Sequence, residues 1–258
     1  MEFSHKSVLL AETIEGLAIK PDGIYLDATA GGAGHSIEIA KKLQGGRLVA
    51  IDRDPDAIIT ATERLSPYNA VVVRSNYSEM DDVLKDLKIP LVDGILLDLG
   101  VSSHQLDVGE RGFSYHVDAP LDMRMSQEGL SARDIVNDYT YELLSKIIFE
   151  FGEEKFSRKI AANIIKAREE KPIETTLELA EIIKISVPAA VRREKNPCKK
   201  TFQAIRMAVN GELDHLSKGL DTAFSLLNIG GRLAVITFHS LEDRLVKQRF
   251  AGFCRGCT

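Results

Sequence analysis

The sequence predicts an α/β fold, a doubly wound and mostly parallel sheet that carries a helical insertion. Three observations lead there. Strand-like and helix-like stretches alternate four times between Ile24 and Leu99, the order that builds a parallel sheet with helices on both faces. The first strand runs through a cluster of small residues straight into a helical pattern, and the second strand ends in an acid. From about Phe113 to Ala204 the strand patterns stop and helical patterns follow one another.

The elements can be read in order. His5–Glu12 leads into a short helix ending near Gly16, and Pro21-Asp22-Gly23 makes a turn. The apolar run from Ile24 is a buried strand, and Ile37, Ile39, Ala40 and Leu43 mark the helix beyond the glycines. Arg47–Asp52 is the second strand. Asp54 then caps a helix that has Pro55 at its first position and runs to about Leu65. Ala70–Arg74 is the third strand. Ser78-Glu79-Met80-Asp81 reads as a capping box for a helix through about Leu87, and Val92–Leu99 is the fourth strand. In the insertion, helices are expected over Ser131–Asp138, Thr140–Phe151, Glu153–Glu170 and from the capping box at Thr175 to before Pro188. A long helical pattern from Thr201 to Leu227, broken near Gly211, returns the chain to the sheet. Gly230-Gly231 is a turn and Arg232–Phe238 a fifth strand. The expected division is 1–112 with 206–258 for the sheet domain and 113–205 for the insertion.

Composition narrows the function. At 258 residues and 44% hydrophobic, the chain is long enough for one large domain or a domain with an insertion. No apolar run reaches the roughly 20 residues of a membrane span. The start lacks the basic-then-apolar pattern of a signal peptide, so a cytoplasmic location is expected. Three cysteines are too few for a disulfide framework. Cys254-Arg255-Gly256-Cys257 has no second Cys or His pair beside it, and reduced thiols are the expectation rather than zinc. A net charge of −5 does not advertise a nucleic-acid binder, although Arg192-Arg193-Glu194-Lys195 and Lys199-Lys200 form a local basic cluster.

The chemistry gathers at Gly31-Gly32-Ala33-Gly34. A glycine turn between strand and helix brings backbone N–H groups close to a ligand. Asp52, about twenty residues past the first glycine, is placed to accept hydrogen bonds from ribose hydroxyls. G-G-x-G is not the G-x-G-x-x-G of dinucleotide binders, and it leans toward S-adenosylmethionine, which has no pyrophosphate. A nicotinamide-dependent oxidoreductase is disfavoured for that reason.

One long string goes further: Asp98-Leu99-Gly100-Val101-Ser102-Ser103-His104-Gln105-Leu106-Asp107, Glu110-Arg111-Gly112-Phe113-Ser114 and Pro120-Leu121-Asp122-Met123-Arg124-Met125. It resembles the bacterial small-subunit ribosomal RNA cytosine-N4 methyltransferases. So do Ser7–Glu12, His35-Ser36, Asp52-Arg53-Asp54-Pro55, Thr201–Arg206, Val209-Asn210 and Phe238–Arg244, over the whole chain and in the right order. The resemblance implies a class I, Rossmann-like methyltransferase acting with S-adenosylmethionine on a cytidine of 16S rRNA in the decoding region of the small ribosomal subunit. It implies cofactor contacts from Ala33, Gly34, His35, Asp52, Tyr77 (over the adenine), Asp98 and Gln105. Members of the family run on past Cys257 with further strand, so this chain reads as a fragment or an early terminus.

Methyl transfer to an exocyclic amine calls for alignment and for an acceptor that localises the amine lone pair. Many amino-methyltransferases use Asn or Asp followed by two prolines and an aromatic. Asp98-Leu99-Gly100-Val101 stands in that place, which makes Asp98 the catalytic candidate. His239 at the tip of the fifth strand could touch the base or be structural. Arg111, Arg124, Arg206 and the cluster at 192–200 are candidates for RNA phosphates, with ion pairing inside the protein as the alternative for Arg111 and Arg124. A non-catalytic assembly factor would have lost the loop glycines, Asp52 or Asp98, and all are present.

Overall fold

The computed structural model describes residues 7–255 other than Lys195, and the backbone only of Ser103. The readings placed on His5, Lys6, Lys195, Gly256 and Cys257 lie outside the described residues. In chain order the elements are α1 (Leu10–Leu17), β1 (Ile24–Asp27), α2 (Gly34–Lys42), β2 (Arg47–Asp52), α3 (Pro55–Leu65), β3 (Ala70–Arg74), α4 (Met80–Asp86) and β4 (Val92–Asp98). There follow α5 (Ser103–Asp107), α6 (Ala132–Asp138), α7 (Tyr141–Gly152), α8 (Ser157–Glu170), α9 (Thr176–Ser186), α10 (Ala189–Glu194), α11 (Cys198–Asn210), α12 (Glu212–Ser225), β5 (Leu227–Ile236) and α13 (Ser240–Arg255). They fall into two compact units, Met1–Ser102 with Leu213–Thr258, and Ser103–Glu212.

The first unit is the sheet. Its strands are all parallel, in the order β3-β2-β1-β4-β5. Side chains alternate across a strand, and each face receives its own helices. Tyr25, Leu48, Ala50 and Leu96 pack with Leu17 of α1, Ile39 of α2, and Ala61 and Leu65 of α3. Their neighbours Leu26, Val49, Ile51, Ile95 and Leu97 pack with Leu84 of α4, Leu216 and Leu220 of α12 and Val246 of α13. The sheet is therefore doubly wound, and β1 sits at its centre with both faces covered.

The second unit is helical. Among its described residues the only extended pairing is an isolated bridge between Pro120 and Thr175. Ile135, Leu144, Ile148, Ile160, Ile164, Ile183, Phe202 and Ile205 are buried. Asn210, itself buried, pins the 123–125 loop to α11: its amide donates to Met123 O at 2.8 Å and accepts the Met125 N–H at 2.9 Å. The unit's limits lie outside the 113–205 of the sequence reading. An α-helix cannot be divided without breaking its hydrogen bonds. α11 runs unbroken to Asn210, and Gly211 ends it at φ 58.

Three local readings are corrected. Gly230-Gly231 lies within β5 rather than in a turn before it. The β4–β5 register jumps between Val92↔Leu227 and Gly94↔Arg232, so an irregularity absorbs the two glycines. Ser78 does not cap α4. Asn76 accepts the Ser78 N–H and starts a short 3₁₀ turn, Tyr77–Glu79, while the Ser78 hydroxyl meets His215 Nδ1 at 3.0 Å. The helix expected over Glu153–Glu170 begins only at Ser157, because Glu153 takes φ 47 and interrupts the turn.

Candidate active site

Three aspartates close three adjacent strands. Asp27 ends β1, Asp52 ends β2 and Asp98 ends β4. This carboxyl edge is where open α/β sheets bind ligands. The Ala28–Ala33 loop rises between them. Gly31 takes φ 49, a conformation that costs glycine little, and Ala33 follows at φ 61 to start α2. At Gly34 a Cβ would collide with the Ser7 hydroxyl, so the chain before α1 lies against the loop.

Asp52 holds the loop by accepting the Gly31 N–H at 2.8 Å, and it caps its own turn by accepting the Asp54 N–H at 2.9 Å. An ionised carboxylate has about four acceptor positions. Two remain for hydroxyl donors such as those of a ribose. Burial pushes its pKa up to about 6, against the pull of those two N–H groups.

Asp98 is less settled. Its backbone N–H donates to Thr29 Oγ1 at 2.6 Å, and its Oδ2 lies 3.5 Å from His35 Nδ1. Its Oδ1 is buried with no hydrogen-bond partner among the described residues. Burial, then the charges of Asp27 and Glu242, push its pKa up to about 7. His35 is buried and meets the Val8 carbonyl at 3.0 Å through Nε2, which fixes the ring and turns Nδ1 toward Asp98. A buried carboxylate oxygen without a donor fits a ligand that brings a cation or an N–H. These acceptors therefore fit a nucleoside with a cationic arm, as S-adenosylmethionine is.

Tyr77 stands just past β3, whose Arg74 pairs with Asp52. Its ring lies along α12, so close that a Cβ at Gly219 would approach Tyr77 Cδ2 to 2.7 Å. Gln105 belongs to the helical unit, where it is buried on α5, so it is not a surface residue. His239 sits at its own helix start: the Glu242 N–H points at Nδ1 at 3.4 Å, while the buried Nε2, 3.1 Å from Glu242 Oε1, makes no hydrogen bond among the described residues. Glu242 is buried and also accepts the Phe238 N–H at 2.9 Å.

Two contributors were missed in the sequence. Asp27 is buried, accepts the Ser36 hydroxyl at 2.6 Å and the Thr29 N–H at 3.2 Å, and so knits the loop to α2. Burial raises its pKa. The signal was available, since an acid ends an otherwise apolar strand. The Glu242 charge beside Asp98 had no comparable signal, because it depends on where α13 turns back.

The arginines proposed for RNA are engaged elsewhere. Arg111 donates to the carbonyls of Arg124 and Met125 at 2.9 and 3.1 Å. Arg124 grips Asp122 from Nε and Nη2, the latter at 2.6 Å. Arg206 pairs with Glu212 at 2.8 Å through Nε and Nη2. These bonds all lie within the helical unit, and the first two fix its 122–125 loop.

A doubly wound parallel sheet, a glycine loop after β1 and acids ending β2 and β4 make a site for a nucleoside cofactor at the sheet's carboxyl edge. The whole chain has methylase relatives. A model of the MraW methylase family matches residues 2–258. Proteins described as ribosomal RNA small subunit methyltransferase H are 57% identical in Lachnospira eligens and 55% identical in Brevibacillus brevis, each over 100% of this chain and 84% of the relative. One from Symbiobacterium thermophilum is 51% identical over 100% of this chain and 83% of its own. The chain belongs to the MraW methylase family. It is a methyltransferase, and its methyl donor is S-adenosylmethionine.

Proposed function

We infer that this chain methylates the exocyclic N4 amine of a cytidine in the decoding region of 16S rRNA, within the small ribosomal subunit. The observation that carries the mechanism is the buried, unpartnered Oδ1 of Asp98 at the end of β4. S-adenosylmethionine supplies a methyl group on a sulfonium leaving group. Ala33, Gly34 and His35 line the site from the loop, Asp52 accepts the ribose hydroxyls, and Tyr77 covers the adenine.

Asp98 is placed where the target amine arrives. Its carboxylate accepts an N–H of that amine, localises the nitrogen lone pair and takes the proton as the new C–N bond forms. Its pKa near 7 suits a base at neutral pH. His35 positions it. A base of folded RNA must be splayed out to reach such a site. In this reading the helical unit recognises the RNA, and the chain works in the cytoplasm, where ribosomal subunits are found.

The test is incubation of unmethylated small subunits with labelled S-adenosylmethionine, followed by mass spectrometry of the digested rRNA. N4-methylcytidine is expected in the decoding region. Label on another base, or none, would refute the reading.

A further inference from the structure

Lys184 of α9, Arg192, Arg193 and Glu194 of α10, and Asn196 and Pro197 line an open depression of about 380 Å³ in the helical unit. Three cations face one carboxylate there. The twelve residues from Ala189 to Lys200 carry five Lys and Arg against one Glu, in a chain whose net charge is −5. Lys184 is partly neutralised, since its Nζ meets Glu181 Oε1 at 2.5 Å. Arg192 and Arg193 are not. Both are exposed, and neither guanidinium has a hydrogen bond or ion pair among the described residues. Arg111, Arg124 and Arg206 are committed to partners in the same unit, so the two differ from them in kind.

The chain just after the arginines is tied to α9. Asn196 Oδ1 accepts the Cys198 N–H at 2.9 Å, and the Cys198 side chain is buried against the Ala180 carbonyl. The segment that carries the arginines is thus tied down where it enters α11. The planar donors of α10 match phosphate oxygens, which a single guanidinium group binds through two N–H groups. A membrane surface would ask for an apolar face beside the charge, and the lining offers only Pro197.

We propose that this pocket is a phosphate-binding site for the sugar–phosphate backbone of the RNA substrate, with Arg192 and Arg193 as its contacts. The proposal rests on the functional reading above. It adds a docking point that carries affinity and register but no base specificity.

The experiment measures binding of full chain to small subunits and to isolated 16S rRNA between about 50 and 200 mM salt. It compares the wild type, Arg192→Ala/Arg193→Ala and Arg192→Lys/Arg193→Lys. Each phosphate contact to single-stranded RNA contributes about 0.7 to the slope of log K against log salt. The double alanine variant should therefore have a slope shallower by roughly 1.4 on both RNAs. Its KM for the subunit should rise, while kcat and S-adenosylhomocysteine affinity stay at wild-type values. The lysine variant should keep most of the slope. An unchanged slope in the alanine variant would overturn the site. A loss seen with subunits but not with isolated rRNA would overturn it too, and would assign the pocket to an acidic protein face. If the wild type itself neither binds nor methylates the RNA, the functional reading fails, and the phosphate site falls with it.

Discussion

At the scale of single residues, the site depends on carboxylates kept in unusual states. Asp52→Ala removes the acceptor of the Gly31 N–H and of the ribose hydroxyls. It should weaken S-adenosylmethionine binding by about 1–3 kcal/mol, the cost of leaving polar groups unpaired. Calorimetry checks this, and unchanged affinity would reject the assignment. Asp52 and Asp98 titrate near 6 and 7, above the ordinary 3.8 of aspartate. The native state therefore binds more protons than the unfolded chain between about pH 4 and 7, and these groups make stability fall as pH rises through that window. A ligand that pairs with the ionised forms acts in the opposite direction. Affinity for S-adenosylmethionine should rise from about pH 5 to about pH 8 and then level off. Asp52→Asn should remove the lower part of that rise, and a flat profile in the wild type would contradict the role of both acids. Asp52 and Asp98 were legible because each closes an apolar strand. The partnerless Oδ1 of Asp98 was not, since the absence of a donor is a property of the packed site.

At the scale of elements, the strands were legible where alternation and glycine coincide, and the helices where caps are local. Asp54 and Thr175 cap as their sequences suggest. Ser78 does not, because a histidine 137 positions away takes its hydroxyl. The two glycines in β5 were misread because a bulge and a turn share the same residues. Gly219 illustrates a contact between distant elements that no local pattern reveals. Gly219→Ala places a methyl group against the Tyr77 ring at 2.7 Å, where the ring must move. Cofactor affinity should drop several-fold, with the melting temperature of the unliganded protein changing less than for a core cavity. Equal affinity in the two proteins would remove Tyr77 from the site. Asn210→Ala should act on stability instead. It strands the Met123 carbonyl and the Met125 N–H in a buried place, at a cost of about 1–3 kcal/mol read by denaturant unfolding.

At the scale of the molecule, one unit supplies the sheet and its carboxyl edge, and the other supplies a helical body that carries Arg192 and Arg193. Net charge alone pointed away from nucleic acid, and the local excess from Ala189 to Lys200 is what reconciles the two. The division of the chain was visible as the loss of strand patterns after Asp98. Its limits were not, because α11 continues across the point where the pattern seemed to change. No helix among the described residues is long and apolar enough to cross a membrane.

The central claim is that Asp98 takes part in the transfer itself. The direct measurement is single-turnover methylation of small subunits at saturating S-adenosylmethionine, comparing the wild type with Asp98→Asn and locating the product by mass spectrometry. Asparagine keeps an acceptor oxygen and loses the charge and the basicity. The account predicts modestly weakened cofactor binding, which saturation overcomes, and a rate lower by roughly 10²–10³-fold, the scale seen when one preorganised polar partner is lost. A variant that reaches the wild-type rate once the cofactor saturates would show that Asp98 only holds the cofactor, and would contradict the account.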